Sequence, residues 1–392
     1  MRNLRMHVYN VSKIKIVVLI VTYNSRAFID RLIDSIFSQD YDLSKLLLIV
    51  VDNASKDNTY DEILLLLERL SSKRKANFIA VRLSDNLGFA PANNVGLALA
   101  KNILGELRNK ILLLLNPDTY IIDKNFFSKV EMLAGILPVV GVATISGEKE
   151  EVVIDSLGAF IDFLGNPQDI LCHVKMTDTI KSLIKRLPLI YTIHYALFAA
   201  VAIKGEIIEE FGFLRNDYVI YFEDTEFCLR LWSKGIPVYV FRDFMVWHVR
   251  GGTQKQSFRA SKQQETTIFM NIPYHFSKNM LLLTYEYLGP FRYLLRLLIY
   301  GLIGFVFKRK HLAFSIVDSL WIIIKKRIKR KKLPKGLIPK DSRTWVLLWA
   351  LKYKINNSDR SLEEAVSYGV IRASFEYLKL RFLFSHKKEF KA

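Results

Sequence analysis

The chain has 392 residues, of which 51% are apolar, with 57 Lys or Arg against 38 Asp or Glu and a formal net charge of +19. That length accommodates one α/β domain of about 250 residues plus a substantial appendage, and the apolar fraction excludes global disorder. The two cysteines, Cys172 and Cys228, have no CxxC or metal-finger spacing, which excludes a disulfide scaffold and points to a reducing compartment.

Residues 1–13, with Arg2, Arg5 and Lys13, read as an N-terminal extension. Residues 14–22 are a near-continuous β-branched and aliphatic run, the mark of a strand buried on both faces. The run is too short for a secretory signal and no small-residue cleavage pattern follows it, so the chain is expected not to be secreted. The spacing of Phe28, Leu32, Ile33 and Ile36 predicts a helix over 27–38. A second strand over 46–51 ends at Asp52, and a helix follows over 59–70. A third strand over 77–83 leads through a Gly/Asn/Pro loop into a helix over 91–104, and a fourth over 111–115 ends at Asn116-Pro117-Asp118. Strand–helix alternation of this kind implies a parallel sheet with helices on both faces. Ligands of such sheets bind beyond the carboxyl ends of the strands, where Asn24, Asp52, Asn86 and Asp118 all fall. Beyond residue 140 the pattern loosens, with strands near 140–145, 151–160 and 238–241, an apolar run over 195–203, and a helix from Asp224 carrying Phe227 and Leu231.

Several segments combine chemistry with these elements. Thr22 and Asn24, in Val21-Thr22-Tyr23-Asn24, either offer polar groups to a ligand or simply cap the following helix. Asp52, in Val51-Asp52-Asn53-Ala54-Ser55, is placed to accept from a nucleobase N–H or a ribose hydroxyl, with Ser55 and Asn58 as caps. The stretch from Asn86 to Gly96 does not fit the GxGxxG pattern, because its glycines, Gly88 and Gly96, stand eight residues apart. Gly88 would let backbone pass close to a ligand and Gly96 would let the helix pack closely; the bland alternative is a strand-to-helix turn with Asn caps. Asp118 is delivered to the sheet edge by four leucines. Mg²⁺ or Mn²⁺ on a diphosphate needs only one or two protein carboxylates, so Asp118 suits such an ion, with His248 as an additional ligand or a mere turn residue. Glu223 and Asp224 open a helix: they suit its macrodipole, with Glu226 and Arg230 spaced for an i,i+4 pair, and one of the two carboxylates suits a general base.

Taken in order, Val21-Thr22-Tyr23-Asn24, Val51-Asp52-Asn53-Ala54-Ser55, the Asn86–Gly96 stretch, Asn116-Pro117-Asp118, Gly212-Phe213, Tyr221-Phe222-Glu223-Asp224 and His248-Val249-Arg250-Gly251-Gly252-Thr253 closely resemble the pattern of glycosyltransferase family 2, in particular its rhamnosyltransferase-like branch. The resemblance implies an α/β GT-A fold of the nucleotide-diphospho-sugar transferases, a mixed and mostly parallel sheet flanked by helices. It also implies a sugar–nucleotide diphosphate donor and inversion at the anomeric carbon by direct displacement, which needs one base and leaving-group assistance. On that basis Asp52 contacts the nucleoside, Thr22, Asn24, Asn86, Gly88 and Asn94 border the donor, Asp118 binds a divalent metal with help from His248, Asp224 is the base and Glu223 orients it or the acceptor. Three departures stand out: Asn116 replaces the first acid of a DxD motif, Leu214-Arg215 follows Gly212-Phe213 where Asp-Glu is usual, and Ala199-Ala200 replaces Gly-Ala.

Between residues 274 and 340 the chain carries fifteen Lys and Arg against two acids. Residues 291–307 are strongly apolar but interrupted by Arg292 and Arg296, which favours a helix lying in the membrane interface over one crossing it. A second apolar stretch over 312–324 runs into a Lys/Arg cluster over 325–332. This composition suits a peripheral anchor on an anionic cytoplasmic leaflet, the alternative being a solvated basic helix packed on the catalytic domain. No RNA-module signature accompanies the charge, so nucleic acid is not an expected partner. The expected organisation is a catalytic domain over 14–270, basic amphipathic helices over 271–340 and an amphipathic helical tail over 341–392. The expected function is metal-assisted transfer of one sugar to a lipid-linked or polysaccharide acceptor by a peripheral protein at the cytoplasmic face of the cell membrane. The alternatives are an inactive membrane assembly subunit of the same fold, and a nucleotidyltransferase, which would need a basic phosphate-gripping loop that the N-terminal region lacks.

Overall fold

The structure, a computed structural model, describes residues 4–74, 76–148, 151–162, 166–249, 272–331 and 333. The expected helical tail, residues 250–253 of the histidine motif and the 270/271 boundary lie outside these residues. The strands are β1 (Leu4–His7), β2 (Ile16–Thr22), β3 (Leu46–Asp52), β4 (Asn77–Arg82), β5 (Ile111–Leu115), β6 (Thr119–Ile121), β7 (Val139–Glu148), β8 (Glu151–Ser156), β9 (Ala159–Ile161), β10 (Pro167–Asp169), β11 (Ile190–Ile193), β12 (Ala200–Lys204) and β13 (Val238–His248). Eleven of them form one sheet in the order β1-β4-β3-β2-β5-β12-β7-β13-β11, with β8 paired to β7 and β6 to β13. The run β4-β3-β2-β5 is parallel. β12 enters antiparallel between β5 and β7, and β13 lies parallel to β7.

The apolar runs of β2 and β3 are buried along their whole length because helices cover both faces. Alternation decides which side chain goes where. Ile16, Val18 and Ile20 face a cluster with Ile29, Leu32 and Ile33 of helix α1 (Arg26–Phe37), while Val17, Leu19 and Val21 face the opposite core. Helix α2 (Thr59–Arg74) lies beside α1, and helix α3 (Phe89–Leu104) covers the second face. Gly96 is the point of closest approach: a Cβ there would overlap the Leu19 side chain, so the sequence-based expectation of close helix packing is met. At Gly88 the close neighbour is Val219, whose side chain and carbonyl oxygen a Cβ would both strike, and φ is +90°.

Three features differ from the expected pattern. Leu4–His7, placed in the extension, adds an antiparallel edge strand to β4. The strand expected over 151–160 is broken at Gly158, whose φ is +86°, into β8 and β9. The apolar run over 195–203 leads into strand β12. The strand expected to stop at 241 continues to His248 through a register shift between Phe241 and Val246, as one bent element. Helices α4 (Phe126–Ile136), α5 (Asp178–Lys185), α6 (Gly205–Phe211) and α7 (Glu223–Trp232) complete this part. After it come α8 (Ile272–Leu283), a π-turn over Thr284–Leu288, α9 (Pro290–Val306) and α10 (Lys310–Lys325).

Candidate active site

Because β12 is antiparallel to both β5 and β7, the carboxyl ends of β2, β3, β5 and β13 share one sheet edge. β5 ends in the turn that carries Asp118, and β6 then pairs with the end of β13 so that Thr119 lies opposite His248. The Val249 N–H donates to the Asp118 carbonyl at 2.8 Å, which locks the two segments together. As a result His248 Nε2 stands 3.4 Å from Asp118 Oδ1, both residues buried. On its other side His248 Nδ1 meets Asp155 Oδ2 at 2.9 Å, and the Thr144 hydroxyl donates to the same oxygen at 2.6 Å. Burial by itself disfavours the imidazolium, but the hydrogen bonds and charges of Asp118 and Asp155 outweigh it and raise the His248 pKa to about 9. Asp155 was not recognised in the sequence. The available signal was an acid closing the apolar alternation of β8, and only the sheet brings it across 93 residues to His248.

Glu223 and Asp224 begin α7 after two consecutive left-handed residues, Tyr221 (φ 69°) and Phe222 (φ 65°). Such a conformation in two aromatic residues persists only where the surroundings impose it. Here Asn279 of α8, fully buried, donates through Nδ2 to the carbonyls of Ile220 and Tyr221 at 2.9 and 2.8 Å, and Phe276 packs 4.8 Å from the Phe222 ring. Asp224 Oδ1 accepts from its neighbour's N–H, Thr225 N, at 2.6 Å. Burial, partly offset by that bond, raises the Asp224 pKa to about 6. Glu223 is pushed well above the carboxylate range by burial and then by the charge of Asp224, and its Oε2 is buried without a hydrogen-bond partner among the described residues.

The residues expected to border the donor occupy the same edge with different exposure. Asp52 is fully buried: Oδ1 accepts from the Thr22 hydroxyl at 3.0 Å and from the Ser55 hydroxyl, and Oδ2 from the Ser55 N–H at 3.1 Å with Arg82 Nε 3.5 Å away. Burial raises its pKa against these partners. Asp52 thus braces the loop after β3 and turns neither oxygen outward, and Thr22 is engaged with it. Asn24 likewise accepts from the Lys56 N–H at 2.8 Å. Asn94 donates to the Leu214 carbonyl at 2.8 Å and to Asn216 Oδ1 at 2.6 Å, joining α3 to the loop before α7. Asn86 differs. Its Oδ1 accepts from Asn53 Nδ2 and from the Gly88 N–H, both at 2.9 Å, while its Nδ2 is buried with no hydrogen-bond partner among the described residues, a donor left over for a ligand.

Arg215, where the resemblance leads one to expect an acid, is a half-buried cation held by buried acids. Its guanidinium takes Asp217 through two bonds of 3.1 and 2.7 Å, Glu286 of the π-turn at 2.5 Å, and lies 3.5 Å from Glu226 of α7. Lys331 joins from the far end, 3.3 Å from Glu286 and 3.5 Å from Glu226, and the Tyr287 hydroxyl donates to Glu226 at 2.8 Å. The anticipated Glu226–Arg230 pair is present at 3.2 Å. Burial would raise the Glu226 pKa, yet Arg230, Arg215 and Lys331 hold it below the usual range. The segments after residue 271 therefore share one ion cluster with α7.

Residues 17–134 match the family model described as Glycosyl transferase family 2. The match runs from β2 into α4. The architecture around it is the expected mixed α/β GT-A arrangement. Among solved structures, the chain is similar to GalNAc-T7 crystallised with UDP, GalNAc and Mn²⁺, at 17% identity and a TM-score of 0.49, covering 71% of this chain and 49% of that one. It thus spans about half the length of GalNAc-T7. It is also similar to S. aureus TarS 1-349 in complex with UDP-GlcNAc, at 15% identity and a TM-score of 0.47, covering 94% of this chain and 92% of that one. TarS 1-349 in complex with UDP aligns at 14% identity with a TM-score of 0.43, over 96% and 93% of the two chains. No curated protein sequence matches. The family 2 segment contains Asp118 and the whole donor-side set, whereas Asp155, Glu223, Asp224 and His248 lie beyond its end.

Proposed function

We propose that the chain is an inverting glycosyltransferase that moves a sugar from a nucleoside-diphosphate donor to a hydroxyl of a lipid-linked or polysaccharide acceptor. The observation that carries this reading is the meeting of Asp118 and His248, 3.4 Å apart, at the edge where the family 2 segment ends its parallel strands. In the reaction the acceptor oxygen attacks the anomeric carbon as the bond to the diphosphate breaks, and the hydroxyl proton passes to Asp224. Oδ1 of Asp224 is held by Thr225, which leaves Oδ2 for the acceptor. Glu223, beside it with an unpartnered oxygen, orients the incoming hydroxyl. On the donor side Asn86 Nδ2 is the open donor, while Asp52, Thr22, Asn24, Gly88 and Asn94 set the shape of the loops around it. A deoxyhexose such as rhamnose is the first donor sugar to try, on the resemblance alone.

Among the described residues no group of three or more His, Cys, Asp or Glu is arranged to hold a metal. Two ligands nevertheless fit Mg²⁺ or Mn²⁺ on a diphosphate, since phosphate and water oxygens fill the remaining positions. Asp118 Oδ1 and His248 Nε2 face one another, and Asp155 holds the other ring nitrogen, the usual support of a metal-binding imidazole. Bound there, a divalent ion would neutralise charge on the departing diphosphate. Asp155→Asn is expected to raise the Mn²⁺ concentration for half-maximal donor hydrolysis about 10- to 100-fold, read from a metal titration at saturating donor.

The reading is tested by a hydrolysis screen of UDP-, GDP- and dTDP-sugars with Mg²⁺ or Mn²⁺. One donor class should turn over, and Asp118→Ala should slow it at least about 100-fold. Absence of turnover with every donor, together with no thermal shift from any nucleotide, would sink it in favour of an inactive assembly subunit.

A further inference from the structure

Helices α9 and α10 are amphipathic in the inverted sense. On α10 the buried positions include Ser315 and Ser319, both fully buried, with Leu312 and Ile323, whereas Phe314, Val317, Trp321 and Ile324 recur at helical spacing on the exposed side. On α9 the inward positions are Tyr293 and Arg296, the latter donating to Asn166 at 3.2 Å, while Leu294, Leu298 and Phe305 point outward. Phe305 is 85% exposed, Leu298 72% and Trp321 59%. A helix of a water-facing surface does the reverse, hiding its large apolar residues and showing its polar ones. The arginines that interrupt this run in the sequence do not interrupt its face: Arg292 bonds back to the Leu288 carbonyl and Arg296 turns inward. Asp318, the one acid between 290 and 331, is tied to the Tyr274 hydroxyl at 2.5 Å.

Exposed cations flank the apolar face, with Lys308, Arg309 and Lys310 at the corner between the helices and Lys325 and Arg327 at the end of α10, while Lys326 between them pairs with Asp217 at 3.4 Å. Among the described residues no helix is long and apolar enough to cross a membrane. We propose that the outward face of α9 and α10 lies in the interface of an anionic lipid bilayer, with these cations on the headgroups, and that α7 is held at a fixed height above it. The charge rim and the exposed Trp321 select a lipid surface over a second copy of the chain, because cations beside large apolar side chains complement acidic headgroups. Asn279, Lys331 and, through Arg215, Glu286 connect this platform to α7 and its Asp224, so an acceptor carried by the membrane would meet the base at a set distance; that last step rests on the function proposed above.

Deleting everything after residue 270 would strip these supports from α7, so point substitutions on the exposed face are the sound test. The full chain is sedimented with phosphatidylglycerol–phosphatidylcholine vesicles and with phosphatidylcholine alone. Wild type should bind the acidic vesicles, with a blue shift in fluorescence that Trp321→Phe diminishes, and Leu298→Glu with Phe305→Glu should weaken binding at least about tenfold. Unchanged binding by the double variant would overturn the proposal. So would a wild type that ignores acidic vesicles, whether monomeric or in a dimer that the same substitutions dissociate. Donor hydrolysis without lipid should be equal in both proteins. Vesicle binding with no hydrolysis in either would remove the proposed reaction and leave the docking surface standing.

Discussion

Asp224→Asn should lower sugar transfer by about 100- to 10,000-fold while leaving donor affinity within a few-fold of wild type, as for loss of a general base that contacts only the acceptor. Wild-type rate should fall as pH drops through about 6, because burial raises the Asp224 pKa to that value and the protonated carboxyl can no longer take the acceptor's proton. Stability has the opposite sign. An acid whose folded pKa is raised binds its proton more tightly in the folded state than in the unfolded chain, so its favourable contribution is present at low pH and is lost as pH rises through about 6. Asp224→Asn should therefore melt at a higher temperature than wild type above that pH, with the gap closing in acid. Steady-state kinetics and a thermal melt at two pH values check both halves. A variant that keeps its full rate would place the base elsewhere, with Glu223 next in line.

Arg215→Ala should destabilise the fold by about 3–5 kcal/mol, because it removes one side of a buried ion cluster and leaves the other. The side chains of Glu226 and Glu286 are 0% and 1% exposed, so neither can recover its lost partner from water. Lys331 and Arg230 neutralise part of the remainder, which keeps the loss within that range. Urea denaturation gives the number. The deficit should shrink as pH falls, since the two orphaned carboxyls then take up protons and cease to be buried charges. Arg215→Lys should recover only part of the loss, because an ammonium cannot reproduce the two-bond grip on Asp217. A change below about 1 kcal/mol would mean that the cluster is solvated and the C-terminal helices are loosely attached.

Much of the catalytic half was legible before any coordinates. The β-branched runs of β2 and β3, the helices between them and the placement of Asp118 follow from apolar periodicity, which is a local property of the chain. Asp224 and Glu226–Arg230 were legible for the same reason, since a helix start and an i,i+4 pair are set within a few residues. Asp155 and Asn279 were not. Their partners, His248 and the carbonyls of Ile220 and Tyr221, lie 93, 59 and 58 residues away, and no local pattern encodes a contact of that range. Asp52 reads as an open carboxylate in sequence and is a closed one in the fold, because Thr22 and Ser55 converge on it from two segments.

By itself the sequence determined the parallel core, the family 2 segment and the candidate metal and base carboxylates, because spacing and residue type act over one element at a time. Only the tertiary structure decided which of those groups remain open to a ligand, what Arg215 is for, and which way α9 and α10 face. Each of these depends on whether the opposite side of a residue meets protein or solvent, and that is a property of packing between elements distant in the chain.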